Sequence, residues 1–287
     1  MGKTHSSDKL KATTANNQFM INNYLINRKK KLGDGHTASV YMATNLLNDK
    51  IVAAKVIKKD QIIPIDLSLA YTEIKTLKIL SHQNIVKLYD TYDDDDTLIL
   101  FLELGKEGDL YTYLEKNNNV TEQMARKIFI QLLNAIDYAH KNNIVHRDIK
   151  LENILIKKIC DNDEPFILLA DWGFSEFVSS TDTTLLQSCG SLSYAAPELF
   201  LGKKYIGQCV DIWSLAIVLY TLIVRHNPFN GKSTEEIMKK ILYTNPIYPS
   251  TLSTELILLL NGMLDKQPER RATISIIRNF EWFNATS

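Results

Sequence analysis

Apolar residues follow two rhythms along this chain. Between residues 24 and 58 they come in short runs, Tyr24-Leu25-Ile26, Ser39-Val40-Tyr41-Met42-Ala43 and Ile51-Val52-Ala53-Ala54-Lys55-Val56-Ile57, separated by Gly33-Asp34-Gly35 and Asn48-Asp49. Runs of this kind between turn residues predict strands joined by tight turns. Residues 69–80 then repeat apolar side chains at helical spacing, through Ile74, Leu77 and Ile79-Leu80, and two further strands are expected near residues 85–88 and 98–102. The acidic run Asp93-Asp94-Asp95-Asp96 between them reads as a solvated turn, because it lacks the Gly and the final Glu of a calcium loop. After Gly105 the helical rhythm takes over, at residues 121–141, 210–224, 234–242 and 274–283. The pattern predicts an α+β chain in which a small antiparallel β-rich lobe with one helix, residues 22–103, precedes a larger, mainly helical lobe, residues 104–287. Residues 1–21, rich in Asn, Thr, Ser and Lys, are expected to form a disordered arm.

The 287 residues, 45% of them hydrophobic, suffice for one large domain or two modest ones, with a real core. Lys plus Arg and Asp plus Glu number 33 each, so no global charge draws the chain to nucleic acid or an acidic membrane, and neither partner is expected. Three cysteines, Cys160, Cys189 and Cys209, have no metal-type spacing and read as free thiols in a reducing compartment. The longest apolar stretch, residues 215–224, is too short to span a bilayer, and no apolar signal segment opens the chain. An intracellular monomer, cytoplasmic or nuclear, is the expectation. Met1-Gly2-Lys3-Thr4-His5-Ser6 fits the loose myristoylation pattern, but Lys3 disfavours the reaction. Membrane attachment is expected only if Gly2 is acylated, and a single acyl chain would hold it marginally.

Gly33-Asp34-Gly35-His36-Thr37-Ala38 lies between two strands, which argues against dinucleotide and Walker-type loops, since both need a strand followed by a helix. Alone, it is a plain hairpin. Lys55, inside an apolar strand, requires an anionic partner if it is buried. Glu73 on the following helix, together with a phosphate, could supply one, and a lysine snorkelling from an edge strand is the simpler alternative. Farther on, the apolar strand Phe166-Ile167-Leu168-Leu169 runs into Asp171-Trp172-Gly173, a carboxylate, an indole and a glycine where small polar turn residues would be ordinary.

His146-Arg147-Asp148-Ile149-Lys150-Leu151-Glu152-Asn153 changes the picture, because it resembles the catalytic loop of eukaryotic protein kinases. Asp171-Trp172-Gly173 stands where that family has Asp-Phe-Gly, Ala196-Pro197-Glu198 closes the activation segment, and Asp211-Ile212-Trp213-Ser214 and Arg270-Arg271-Ala272-Thr273 follow in the family's order. The resemblance runs from about Tyr24 to Phe283 and implies the two-lobed protein kinase fold. It implies ATP and Mg²⁺ as cofactors and proteins with Ser/Thr acceptors as substrates. Asp148 would accept or orient the substrate's proton and Lys150 would steady the transferring phosphate. Asn153 and Asp171 would hold the metal. Lys55, paired with Glu73, would position the α- and β-phosphates beneath Gly33 and Gly35. Val40, Ala53 and Leu155 would sandwich the adenine, with Leu102, Glu103 and Gly105 at the hinge and Asp109 near the ribose. Glu198 and Arg271 would form a structural ion pair.

Lys150 two residues after Asp148 resembles the Ser/Thr type. The stretch from Ser188 to Glu198 is similar to the AMP-activated and sucrose-nonfermenting kinases of the calmodulin-dependent group, without the basic tail that calmodulin would bind. Glu152 and Asp109 match positions that select basic residues before the acceptor, so a basophilic enzyme is expected. Ala38, Trp172 and Ala216 depart from the family's Gly, Phe and Gly. Gln187 stands where a phosphorylatable Thr is usual, so either the segment is ordered without phosphate or Thr183, Thr184 or Ser188 substitutes. A pseudokinase-like ATP-binding scaffold is the alternative and would predict loss of Lys55, Asp148 or Asp171, all of which are present. A metabolic phosphotransferase would carry a different loop around Asp148.

Overall fold

In the first strands, pairing register decides which side chains reach the core. β1 (Gln18–Ile21), β2 (Tyr24–Asp34), β3 (Ser39–Asn45) and β4 (Lys50–Lys58) pair antiparallel in sequence order. After α1 (Pro64–Ile79), β5 (Leu88–Asp93) and β6 (Thr97–Leu102) complete a six-stranded sheet of order β1-β2-β3-β4-β6-β5. The pairs Ile26 with Ala43, Ala43 with Val52, and Ala54 with Phe101 place these residues on one face. With Phe19, Ile21, Tyr24 and Ile99 they form a buried cluster, in which Tyr24 stacks on Phe101 at 3.8 Å between ring centroids. Because side chains alternate along a strand, a one-residue slip would turn this whole set to the opposite face.

The computed structural model describes residues 17–35, 37–117, 120–160, 164–178, 184–185, 189–202 and 204–284. They divide into two units, one holding residues up to 78 together with 86–104, the other 79–85 and everything from 105 onward. This boundary differs from a simple cut at 103: Ile85 forms an isolated parallel bridge to Leu169 and belongs with the second unit, and the strand expected at 85–88 begins at Leu88. The expected arm also ends earlier. Phe19 and Ile21 are buried and alternate with Gln18 and Met20, so residues 18–21 pair with Tyr24–Asn27 as β1. Two buried apolar side chains at spacing two are enough for a strand once a partner lies beside them.

The second unit is mainly helical. α2 (Leu110–Lys116) and α3 (Glu122–Lys141) are followed by β7 (Ile144–Val145), β8 (Ile154–Ile159), β9 (Pro165–Leu169), β10 (Glu176–Phe177), β11 (Thr184–Leu185) and β12 (Tyr205–Ile206). Then come α4 (Gly207–Val224), α5 (Thr234–Tyr243), α6 (Thr254–Met263), α7 (Ile274–Ile277) and α8 (Glu281–Asn284). α3 starts where Thr121 accepts a hydrogen bond from the Met124 amide, the ordinary chemistry of an N-cap. Its buried stripe of Ile128, Phe129, Leu132, Leu133 and Ile136 stabilises the core by roughly 1.5–3 kcal/mol per side chain.

α4 begins earlier than the apolar run alone predicts and, at 18 residues, is long and apolar enough to cross a membrane by length and composition. Of its residues 72% are buried within the protein, and it carries the buried Asp211, as a core helix does. The single helix expected over 274–283 is two short ones. The chain breaks after Arg278 so that Phe280 can pack against Gly262 while Trp282 is fully buried.

Candidate active site

The face of the first sheet opposite the buried cluster carries the candidate nucleotide residues of that unit. Val40 pairs with Lys55, Lys55 with Leu100, and Ala53 with Met42 and Leu102, so Val40, Ala53, Lys55 and Leu102 share one face. Lys55 Nζ meets Glu73 Oε2 at 2.6 Å, and Glu73 on α1 is 1% exposed. The anionic partner that a strand lysine requires is therefore present, and the snorkelling alternative is not adopted. A Cβ added at Gly33 would meet nothing within 4 Å, and one at Gly35 would come no closer than 3.5 Å to the Ala38 carbonyl. The protein's own packing does not require glycine at either position. Glu103, at the end of the first unit, donates its amide to the Lys87 carbonyl at 2.8 Å.

In the second unit the catalytic-loop residues are gathered around Asp148, which is 4% exposed. Its Oδ2 accepts from Lys150 Nζ at 2.7 Å and Asn153 Nδ2 at 3.0 Å, and its Oδ1 from the Ser191 amide and Oγ, each at 3.0 Å. Lys150 Nζ also reaches Ser191 Oγ at 3.0 Å. The loop is anchored from below by Asp211, which accepts from the amides of His146 and Arg147 at 2.9 and 2.8 Å and from His140 Nε2 at 2.8 Å. Burial alone would raise the pKa of Asp211, but the hydrogen bond and charge of His140, with His146, outweigh it and hold the carboxyl below its ordinary range. Gly190 is required here. Its φ is +92° and a Cβ would lie 2.5 Å from the Arg147 carbonyl oxygen.

Asp171 follows β9 in a left-handed conformation, φ 60°, and is half-buried. Arg147 is also left-handed, at φ 67°, so two non-glycine residues of the site hold sparsely populated backbone angles. The Ala170 amide donates to the Asn153 carbonyl at 2.8 Å, tying the two candidate metal-holding segments together. Both protein hydrogen bonds of the Asn153 amide, to the Asp148 carbonyl and carboxylate, use Nδ2, leaving Oδ1 for a cation. Mg²⁺ takes hard oxygen donors, few from protein and the rest from water and phosphate, and Asn153 with Asp171 fits that set. Among the described residues no group of three or more His, Cys, Asp or Glu forms a closed metal cage.

Trp172 is fully buried, its ring 4.5 Å from that of His146, and its Nε1 donates to the Leu169 carbonyl at 3.3 Å. The larger ring is thus accommodated and gains a hydrogen bond that Phe could not make. A Cβ on Gly105 would fall 2.7 Å from that of Leu155, so only glycine fits against this strand. Asp109 caps α2, with Oδ1 accepting from the Thr112 amide at 2.7 Å and Oδ2 from the Thr112 hydroxyl at 3.0 Å. Glu198 and Arg271 pair bidentately at 2.7 and 2.9 Å, both buried.

Sequence reasoning missed the parts played by Ser191, Glu176 and Tyr205. Ser191 lies two residues after Cys189, close enough to the recognised motif to have been suspected, whereas Glu176 and Tyr205 carry no local signal. Gly2, Thr183, Gln187, Ser188 and the side chain of Thr184 lie outside the described residues.

The protein kinase domain family matches residues 26–283. The chain is 38% identical over 257 residues to serine/threonine-protein kinase SIK1 of Rattus norvegicus, covering 90% of this chain and 32% of the relative. It is 37% identical over 257 residues to serine/threonine-protein kinase SIK2 of Gallus gallus, with the same coverage. The chain therefore spans about a third of the length of the curated relatives it matches. With the expected motifs gathered around Asp148 and a family match across nearly its whole length, the chain belongs to the protein kinase domain family.

Proposed function

We propose that this protein transfers the γ-phosphoryl group of ATP, with Mg²⁺, to Ser or Thr hydroxyls of protein substrates. The observation that carries the reading is the arrangement at Asp148, a buried carboxylate held by Lys150, Asn153 and Ser191. Phosphoryl transfer needs alignment and compensation of negative charge more than covalent help. An incoming hydroxyl that replaced Ser191 on Asp148 Oδ1 could give up its proton there, with Lys150 Nζ beside it to meet the transferring phosphate. Lys55, fixed by Glu73, supplies a cation for the α- and β-phosphates, and the space above Gly33 and Gly35 lets backbone amides approach phosphate oxygens. Mg²⁺ held by Asn153 and Asp171 would neutralise charge on those oxygens.

A preference for basic residues near the acceptor is supported by the exposed Glu152 and by the surroundings of Tyr111. The Tyr111 hydroxyl donates to the Glu115 carboxylate, and this bond, then the negative charges of Glu115, Glu152 and Asp109, raises its pKa, which marks a negative surface. Cys160, Cys189 and Cys209 are free thiols, which favours a reducing compartment, the cytoplasm or nucleus.

Labelled ATP with Mg²⁺ and Ser/Thr peptide pools, with and without Arg and Lys, test the reading. Wild type should transfer phosphate with a preference for basic pools, and Asp148→Asn should be slower by about 100-fold or more. Equal rates for the two proteins would overturn the role of Asp148, and equal use of the pools would overturn the basic preference.

A further inference from the structure

β2 and β3 lose their one-to-one pairing after Asn27. Asn27 lies opposite Met42, but the next residue of β3 to pair, Tyr41, lies opposite Lys31, so Arg28, Lys29 and Lys30 bulge out of the ladder without partners on β3. A bulge of this kind re-aims the side chains it carries. The excursion is held in place: the Arg28 amide donates to the Asn17 carbonyl at 3.1 Å and the Lys29 amide to Asn27 Oδ1 at 3.0 Å. All three cations are exposed, and among the described residues none of them is ion-paired, whereas Lys31 beside them meets Asp34 at 2.8 Å. Arg28 also lines a cavity of about 380 Å³ on the sheet face that carries the buried cluster, the face opposite Lys55. Phe19, Tyr41 and Val56 give this cavity an apolar lining, and the exposed, unpaired Lys58 adds a second cation to it. The Arg28 guanidinium lies 4.6 Å over the Phe19 ring, which sets its charge beside the apolar lining. Asp34, the carboxylate among the described lining residues, is engaged by Lys31 and by Ser39 Oγ at 2.7 Å.

We propose that the bulge and the cavity together form a docking site for an acidic peptide segment, one in which a bulky apolar side chain is flanked by carboxylates. The cavity takes the apolar side chain against Phe19, Tyr41 and Val56, and Arg28, Lys29, Lys30 and Lys58 meet the anions on either side of it. Burial of the apolar group supplies affinity, while the exposed cations speed encounter and select the partner by charge. Several cations spread along a stretch of chain call for several anions at a similar spacing, which an acidic peptide offers and a small organic acid does not. A recessed cavity receives one projecting side chain, whereas an anionic bilayer presents a flat charged surface, so the shape favours the peptide. The chain's own first residues do not qualify as the occupant. Residues 1–16 set Lys3, Lys9 and Lys11 against Asp8 alone and contain no Phe, Tyr or Trp. The cations and apolar residues of this site are distinct from those assigned to phosphoryl transfer, so the inference stands apart from the kinase reading.

The experiment titrates the full chain into a short fluorescein-labelled peptide that carries a central Phe among Glu and Asp residues, read by fluorescence anisotropy. Wild type should bind, and the triple variant Arg28→Ser, Lys29→Ser, Lys30→Ser should bind about tenfold more weakly with Tm within about 2 °C of wild type. The same peptide with Ala in place of Phe should also bind wild type about tenfold more weakly, because the apolar burial is gone. Raising the ionic strength from about 0.05 to 0.3 M should weaken binding by wild type more than by the triple variant. Should the triple variant melt lower, Lys58→Glu decides, since it reverses one exposed charge outside the bulge; it should weaken binding severalfold. Failure of wild type to bind the peptide would overturn the proposal, as would equal binding by wild type and Lys58→Glu. Equal binding of the Phe and Ala peptides would reduce the site to an unspecific charged patch and overturn it as well. Vesicles of phosphatidylserine with phosphatidylcholine are the last arm, and tighter binding to them than to the peptide would make a membrane the partner and reject the peptide.

Discussion

Single residues in this protein are set by what surrounds them more than by type. Lys266 shows this with a measurable sign. Its ammonium lies 4.3 Å from the Phe229 ring centroid and 5.0 Å from that of Trp213, and it donates to the Ile241 carbonyl. Burial, then the nearby Arg271, lowers its pKa from 10.5 to about 8. Between those values the unfolded chain binds a proton that the folded protein does not, so stability rises with pH through the window and falls as pH drops through the folded value. The unfolding free energy of wild type minus that of Lys266→Met should increase by on the order of 1–2 kcal/mol from pH 8 to 10, allowing for partial solvent screening. A flat difference would mean that the ammonium is solvated. Trp172 is the converse case. It departs from the family's smaller Phe, yet the pocket beside His146 takes the ring fully and gives its Nε1 an acceptor.

At the scale of elements, several helix starts are fixed by local chemistry. Thr121 before α3, Ser233 before α5 and Thr273 before α7 each accept the amide three residues on, as N-caps do. What was not legible is how the helices are tied together. Glu122, in the first turn of α3, accepts from Ser253 Oγ at 2.5 Å and from Trp282 Nε1 at 2.6 Å, linking α3 to the cap of α6 and to α8. Removing it would leave a buried indole N–H and a capping hydroxyl without that acceptor. Glu122→Ala should lower the unfolding free energy by about 2 kcal/mol without changing kcat, read by urea denaturation and the peptide assay. An undiminished urea midpoint would show that water replaces the carboxylate at no cost.

At the scale of the whole molecule, order within the second unit depends on contacts between distant segments. Glu198 and Arg271 are 73 residues apart, and Arg271 also donates to the Cys209 carbonyl at 2.7 Å and the Asp265 carbonyl at 3.1 Å. Arg271→Ala leaves the buried Glu198 charge without its partner and should cost about 3–5 kcal/mol. Arg271→Lys should recover little, because an ammonium cannot reproduce the bidentate fork. The double variant Arg271→Met with Glu198→Met should lose less than Arg271→Ala, since no unpaired charge remains. Denaturation midpoints for the three variants check this, and a double variant no more stable than Arg271→Ala would remove the ion pair from the explanation.

Period-two and helical spacing, turn residues and caps are properties of neighbours along the chain. For that reason the α+β order and the helices α1, α3, α4 and α5 could be read from the local pattern, whereas the chemistry expected of Lys55, Asp148, Lys150, Asn153 and Asp171 came from the resemblance to protein kinases, and α2 and α6 were not foreseen. For Lys55 the pattern required only an anionic partner and left a snorkelling lysine open; the 2.6 Å ion pair with Glu73 decided between them. Packing between segments decided the rest. It made residues 18–21 a strand, split the final helix around Phe280, and brought Ser191 onto Asp148 and Glu176 onto Arg147. These contacts depend on buried volume and on burying charge only where a partner waits, and neither quantity exists until the chain has folded.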